Sequence, residues 1–173
     1  MSRMHLAEFN ALPAAEATRV VSVWAAIPAW VDAVVAGRPY PTAGDLAQKA
    51  ADAASAWTRA DLDAALAHHP RIGERPRGDD AEAAASRSEQ AAMATAGDDI
   101  AARISAGNAA YEDRFGRVFL IRAAGRAPEE ILAALDRRLG SDPADETREA
   151  IGQLAEIALL RLRSTIADER IPS

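Results

Sequence analysis

A few polar side chains fall at inward-facing positions in a chain that otherwise places few polar residues there. They are one histidine, one arginine and a glutamate–glutamine pair, namely His69, Arg161, Glu89 and Gln90. An imidazole can move a proton near neutral pH, and a guanidinium can bind a carboxylate through two parallel hydrogen bonds. Carboxylate and amide groups can orient the amides of a ligand. As a set, these residues predict proton-transfer chemistry on a small anionic molecule.

His69 lies close to the end of a predicted helix. Leu62, Leu66 and His69 follow the i, i+4, i+7 spacing of one helix face, whereas His68 points away from that face. Pro70 disfavours helical geometry at the residue before it, so the helix should end at His69. An imidazole there could reach a pocket. The alternative, which this single signal favours when taken alone, is a buried, hydrogen-bonded core histidine.

Arg161 lies at the edge of the inward arc of the long final helix, while Arg163 falls on the opposite, exposed side with Glu156. An isolated buried charge costs several kcal/mol, so an inward guanidinium requires a carboxylate or a bound anion. The alternative is an arginine that lays its stem on the core and extends its head to water. Periodicity alone favours this alternative.

Ser86, Glu89 and Gln90 are three or four residues apart and therefore share one face of a predicted helix. This arrangement could present a hydroxyl, a carboxylate and an amide to one ligand. The same spacing is also typical of a capping box or of a solvated helix face.

Length, composition and charge restrict the class of protein. A chain of 173 residues predicts one domain spanning 1–173. There is no cysteine, which fits a reducing compartment, and we expect a cytoplasmic protein. The net charge of −6 makes nucleic acid and anionic membranes poor partners. No apolar run approaches the roughly 20 residues that cross a bilayer, and no paired-Cys or two-His spacing predicts a metal site.

The elements that must position these residues are predicted to be helices. Alanine-rich segments alternate with proline and glycine, and we predict an all-α fold of about seven to eight helices in a single compact domain. Residues 117–123 are the one stretch with strand-like composition. Because no partner strand is evident, we expect a buried extended segment there rather than a sheet. The predicted helices cover residues 13–27, 28–36, 42–57, 58–69, 80–96, 98–115, 128–139 and 143–167.

Four ordered blocks then resemble a known family across almost the whole chain. They are His69-Pro70-Arg71-Ile72-Gly73-Glu74, Ser86-x-x-Glu89-Gln90, Asn108-x-x-Tyr111-x-x-x-Phe115-Gly116-x-x-Phe119-x-Ile121 and Arg161-Leu162. The chain resembles 2-oxo-4-hydroxy-4-carboxy-5-ureidoimidazoline (OHCU) decarboxylase, the third enzyme of urate breakdown to allantoin. It departs from the family at Ala92, where glycine is frequent, and at Val118, where many members have proline.

The resemblance implies a cofactor-independent and metal-free carboxy-lyase that forms (S)-allantoin, has OHCU as its small-molecule substrate and assembles as a homodimer. It implies that His69 and Glu89 handle protons and that Arg161 binds the substrate carboxylate. It also implies substrate contacts from Pro70, Ser86 and Gln90, and from the backbone of Phe119, Leu120, Ile121, Arg122 and Ala123. Binding to ligand would then satisfy the unpaired backbone groups of the extended segment.

Two competing functions make different predictions. A non-catalytic helical binding or scaffold protein would have His69, Glu89 and Arg161 pointing in unrelated directions, whereas an enzyme would have them lining one cavity. An isomerase or hydrolase acting on the preceding urate intermediate is the other alternative. The composition lacks the β-rich character of the known hydrolase, which disfavours it.

Overall fold

Helices dominate the computed structural model, which describes residues 3–67, 69–74 and 78–168. The all-α prediction is confirmed. The helices are α1 Leu6–Ala11, α2 Ala14–Trp24, α3 Pro28–Ala36, α4 Ala43–Ala54, α5 Arg59–Leu66, α6 Ala81–Glu89, α7 Asp98–Phe115, α8 Pro128–Leu139 and α9 Pro143–Thr165, with a 3₁₀ helix at Ala91–Thr95. Two strands of two residues each, β1 Met4–His5 and β2 Ile166–Ala167, pair in parallel, with Met4 opposite Ile166.

Several helix ends are explained by the residues that stand there. Thr42 caps α4, because its side chain accepts a hydrogen bond from the Asp45 N–H. Pro28 and Pro128 occupy the first turns of α3 and α8, where a missing N–H costs nothing. Gly116 ends α7 in the left-handed conformation with φ 71°. These local interactions explain where α3, α4 and α8 begin and where α7 ends.

Other boundaries differ from the sequence prediction. The first clear helix, predicted over 13–27, ends at Trp24, and α1 precedes it without having been predicted. The helix predicted over 42–57 ends at Ala54. The final helix stops at Thr165, two residues early, because Ile166 and Ala167 form β2. Terminal turns fray readily, so propensity sets such ends poorly.

The helix predicted over 80–96 is divided. It continues as α6 only to Glu89, and Gln90 has φ −91° and ψ 8°, outside the helical region, before the 3₁₀ helix begins. The next helix has Gly97 as its N-cap residue, and Asp98 and Asp99 lie in its first turn. Their carboxylates there still complement the positive end of the helix dipole.

The described residues form two compact units. The first contains the residues up to Thr58 and those from Ala155 onward, and the second contains Arg59–Leu154. In the first unit Arg38 ties helix ends together, because its Nη1 donates at 2.8 Å to the carbonyls of both Phe9 and Leu12. No helix among the described residues is long and apolar enough to cross a membrane.

In the second unit α7 packs along α8. Gly107 permits the close approach, since a Cβ at this position would lie 2.5 Å from a methyl carbon of Leu135. Around this contact lies the apolar core of the unit. Its buried members are Ile72, Ile104, Tyr111, Phe115, Phe119, Ile121, Ala123, Ile131, Leu132 and Leu135.

Candidate active site

His69 lies just beyond α5 rather than on its face. The helix ends at Leu66, and the His69 N–H donates to the Leu66 carbonyl at 3.1 Å, which closes a tight turn. The prediction that the helix reaches His69 is therefore wrong. Pro70 restricts the backbone before it, and the turn begins earlier than the apolar spacing indicated. The prediction for His68 concerns a residue outside the described part of the chain.

The His69 side chain borders a cleft in the second unit. His69 and Pro70 are both half-buried and line an open cavity of about 700 Å³ together with Leu66, Arg117 and Val118. A half-buried imidazole meets both protein and solvent, so it can exchange protons with a bound molecule. This position differs from that of a fully enclosed core histidine.

The loop that follows Pro70 is held by side chains from two helices. Ile72 is buried in the core of the unit, and its carbonyl accepts a hydrogen bond from Asn108 Nδ2 at 3.0 Å. The Gly73 N–H donates to Gln90 Oε1 at 2.9 Å. These contacts fix the loop to α7 and to the end of α6, so the backbone that carries His69 is restrained.

A third restraint on this loop is an ion pair at the cavity wall. Arg71 donates to both carboxylate oxygens of Glu112, with Nε–Oε1 at 2.5 Å and Nη2–Oε2 at 2.9 Å. The hydrogen bond from Arg71 holds the pKa of Glu112 below its usual value, against the opposing effect of burial. Arg71 also lies 3.5 Å from Glu74.

Ser86 and Glu89 lie in the last turn of α6, and Gln90 follows directly as its C-cap residue. Ser86 is only 2% exposed and Glu89 is half-buried. The capping-box alternative is wrong for Ser86, because Asp80 caps α6 by accepting from Ala83 N–H. Burial also excludes the solvated-face interpretation for Ser86. The Gln90 side chain already accepts a hydrogen bond from the loop after Pro70, although an amide retains further donor and acceptor capacity.

The segment over residues 117–123 is extended and belongs to no helix or sheet, which confirms the prediction. Phe119, Leu120, Ile121 and Ala123 are buried, whereas Arg122 is half-buried.

Protein side chains bind several backbone groups of this segment. Arg138 donates to the Leu120 carbonyl at 2.7 Å, and Gln153 Oε1 accepts from the Arg122 N–H at 2.9 Å. The expectation that a ligand satisfies the unpaired groups of this segment therefore does not concern these two groups, and for the others it stays a prediction. Within the described part of the chain, the backbone N–H and C=O of Ile121 have no hydrogen-bond partner.

Arg161 belongs to the first unit and is 5% exposed. Its Nη1 donates to the Val23 carbonyl at 2.8 Å. The interpretation that its head reaches water is wrong, and the inward position is confirmed. Arg163 and Glu156 are exposed on the other side of α9, as predicted. Convergence of Arg161 with His69 and Glu89 remains a prediction.

The sequence prediction missed a buried polar group next to the extended segment. Arg138 lies in the last turn of α8, where a cation complements the helix dipole, yet its side chain and that of Glu146 are both 0% exposed. Glu146 also accepts from the Tyr111 hydroxyl, and burial together with this carboxylate raises the pKa of Tyr111. A signal was available, because Ile131, Leu135 and Arg138 share the apolar face of α8.

The described residues contain no group of three or more His, Cys, Asp or Glu side chains that could hold a metal ion. The charged groups that line the cavity beside His69 are paired with one another, Arg71 with Glu112 and Arg117 with Asp63.

Comparison with protein families and sequences gives one consistent result. The family model of OHCU decarboxylase matches residues 10–163. A 2-oxo-4-hydroxy-4-carboxy-5-ureidoimidazoline decarboxylase of Amia calva is 36% identical over 138 residues, which cover 78% of each chain. A protein of the same name from Haloferax volcanii is 31% identical over 105 residues, covering 60% of this chain and 61% of that protein.

Solved structures share the fold. A crystal structure of OHCU decarboxylase in the presence of (S)-allantoin superimposes with a TM-score of 0.70 at 24% identity, covering 83% of this chain and 94% of that one. A crystal structure of (S)-allantoin synthase gives a TM-score of 0.71 at 20% identity, covering 94% of this chain and 54% of that one. At these identities the structures establish similarity of fold.

Proposed function

This chain belongs to the OHCU decarboxylase family and is a carboxy-lyase, and we propose that it converts OHCU to (S)-allantoin without a cofactor. The observation that carries the proposal is the half-buried His69 at the cavity wall, on a loop held by Gln90 and Asn108. Such a restrained imidazole suits positioned proton transfer. The competing binding or scaffold function requires no such restraint.

The substrate itself supplies the electron sink for the reaction. OHCU carries a carboxylate and a hydroxyl on one ring carbon, next to a C=N bond. When the carbon–carboxylate bond breaks, carbon dioxide leaves and the electron pair moves into that imine. The imine nitrogen takes up a proton, which leaves a C=C bond between the two ring carbons. The hydroxyl then loses its proton as a carbonyl forms, and the neighbouring carbon gains a proton. The protein needs only to orient the carboxylate and control these proton transfers.

We assign the proton transfers to His69 assisted by Glu89. His69 acts as the general acid/base, because an imidazole can both accept the hydroxyl proton and return a proton near neutral pH. Glu89, half-buried at the end of α6, orients or polarises the proton-bearing groups. Protonation from one face in a site closed to water would give (S)-allantoin rather than a racemate.

We assign carboxylate binding to Arg161, since a guanidinium can form two parallel hydrogen bonds to a carboxylate. Ser86, Pro70 and Gln90 contribute further substrate contacts. The backbone of residues 119–123 binds the ring and the ureido group, and the groups of Ile121 that have no partner among the described residues support this role. A homodimer and a cytoplasmic location remain expectations from the family.

The ultraviolet absorbance of freshly generated OHCU tests the proposal. Adding the protein should accelerate the decay of the substrate far above the spontaneous rate, in proportion to protein concentration. Protein inactivated by heat serves as the control. A decay rate that does not depend on the protein would contradict the proposed activity and would favour the non-catalytic alternative.

A further inference from the structure

A fully buried ion pair lies in the second unit beside the extended segment. Arg138 donates through Nε and Nη2 to Glu146, and Glu146 Oε1 also accepts from the Tyr111 hydroxyl at 2.5 Å. Both charged side chains are 0% exposed. Such a pair loses hydration on burial, and well-packed apolar side chains often give equal or greater stability. Its presence therefore points to a requirement other than stability.

The remaining nitrogen of the guanidinium binds the extended segment. Arg138 Nη1 donates to the Leu120 carbonyl at 2.7 Å, and the guanidinium carbon lies 4.6 Å from the centre of the Phe119 ring. The carboxylate of Glu146 fixes the plane of the guanidinium through two of its nitrogens. The third nitrogen consequently has a defined direction, and the Leu120 carbonyl is held along it.

Peptide geometry transmits this restraint to Ile121. In a planar trans peptide, the C=O of one residue and the N–H of the next point in opposite directions. Holding the Leu120 carbonyl therefore sets the direction of the Ile121 N–H. By the same argument, the hydrogen bond from Arg122 N–H to Gln153 Oε1 at 2.9 Å sets the direction of the Ile121 carbonyl. The N–H donor and the carbonyl acceptor of Ile121 therefore both have defined directions.

We propose that Arg138 is a positioning residue, which aims the Ile121 N–H at the substrate by holding the Leu120 carbonyl. The inference rests on the proposed function, in which the backbone of residues 119–123 binds OHCU. An amide donor and acceptor at one residue match the carbonyl and N–H groups of a ureido substituent or a ring amide. Arg138 itself contacts no substrate and acts through the peptide group.

Arg138→Lys is the first test. A lysine is a point charge that can still pair with Glu146, but it lacks the fork that reaches the Leu120 carbonyl at the same time. We expect kcat/KM for OHCU to fall about tenfold to a hundredfold, mainly through KM, because misaligned binding groups weaken binding and orientation. Arg137→Lys is the matched control, since Arg137 is 59% exposed and pairs with Glu149 at the surface. It should retain wild-type kinetics.

A double variant separates positioning from stability. Arg138→Met combined with Glu146→Leu removes both charges, so its urea midpoint should equal or exceed that of Arg138→Met alone. The lowered kcat/KM for OHCU should persist, because no guanidinium then binds the Leu120 carbonyl. Wild-type kinetics in either the lysine variant or the double variant would overturn the proposal. If the wild-type and Arg137→Lys proteins do not decarboxylate OHCU, the proposed function fails and this inference fails with it.

Discussion

His69 combines partial burial with a restrained backbone, and this combination separates it from an ordinary surface histidine. The cavity that His69 borders is also lined by Glu74 and Glu112, whose carboxylates form ion pairs with Arg71. An acid/base group needs access to the reacting atoms and a fixed approach, and the held residues 71–73 supply the fixed approach. The proposed mechanism therefore depends most on this side chain.

His69→Asn should slow proton transfer while leaving the fold intact, because asparagine keeps a polar group of similar reach. We expect kcat to fall about a hundredfold or more, the usual scale for loss of a general acid/base. His68→Asn is the control, since the proposed mechanism gives His68 no role. Steady-state kinetics on both variants decide the matter, and equal activities would rule out the proposed mechanism.

Arg161→Ala should raise KM strongly, with a smaller fall in kcat if the carboxylate is also misoriented. Arg163→Ala, two residues away and exposed, should change neither constant. Urea denaturation distinguishes the alternative role of Arg161 as a structural cation. Loss of a cation that mainly holds the fold would cost several kcal/mol of unfolding free energy, whereas loss of a substrate-binding arginine should cost little. A large stability loss with unchanged KM would contradict the assignment.

Among the elements, the end of α7 and the start of the extended segment depend on one glycine. Gly116 has φ 71°, and a Cβ placed there would meet no atom within 4 Å. Gly116→Ala should therefore destabilise the protein by about 1–2 kcal/mol through backbone strain alone. Gly152→Ala is the control within α9, where a Cβ also meets no atom within 4 Å. It should stabilise the protein by roughly 0.5–1 kcal/mol, and chemical denaturation measures both values.

The loop after Pro70 should show a defined pH dependence. Arg71 lowers the pKa of Glu112 in the folded protein, so the ion pair contributes stability above the ordinary glutamate pKa. That contribution is lost as the pH falls through the lowered value. Glu112→Gln should therefore be less stable than wild type near pH 7, and the difference should shrink below about pH 4. A difference that stays constant between pH 7 and pH 3 would contradict the role of the ion pair.

Local signals predicted the helices better than the polar contacts. Pro28, Thr42 and Gly116 act through their own backbone or their nearest turn, so their effects can be inferred from sequence. The break at Gln90 could not be inferred, because the Gln90 side chain binds Gly73, 17 residues earlier in the chain. Long-range pairs of this kind are set by tertiary packing. The resemblance located the candidate site residues, but it did not provide the hydrogen bonds that hold them.

The two arginines at the end of α8 also differ in contacts that only tertiary packing decides. Arg137 and Arg138 both fit a helix C-terminus, yet Arg137 is exposed and Arg138 is fully buried. The apolar spacing from Ile131 and Leu135 favours an inward Arg138. Only the structure supplies its partners, which come from α9 and from the extended segment.

For the whole molecule, we expect OHCU turnover to continue in the presence of a metal chelator. The substrate provides its own electron sink, and the described residues contain no cluster suited to a metal ion. The rate of OHCU decay should therefore be unchanged after dialysis against chelator. Loss of turnover that is restored by adding one metal would overturn this prediction.

The chirality of the product is the sharpest test of His69 as the group that protonates the intermediate. OHCU is generated in the presence of wild-type protein, His69→Asn protein or buffer alone, and circular dichroism follows the allantoin that forms. We expect rapid appearance of the (S)-allantoin signal with the wild-type protein. With buffer or His69→Asn we expect slow formation of allantoin with little optical activity. Racemic product from the wild-type protein at the uncatalysed rate would contradict the proposed role of His69.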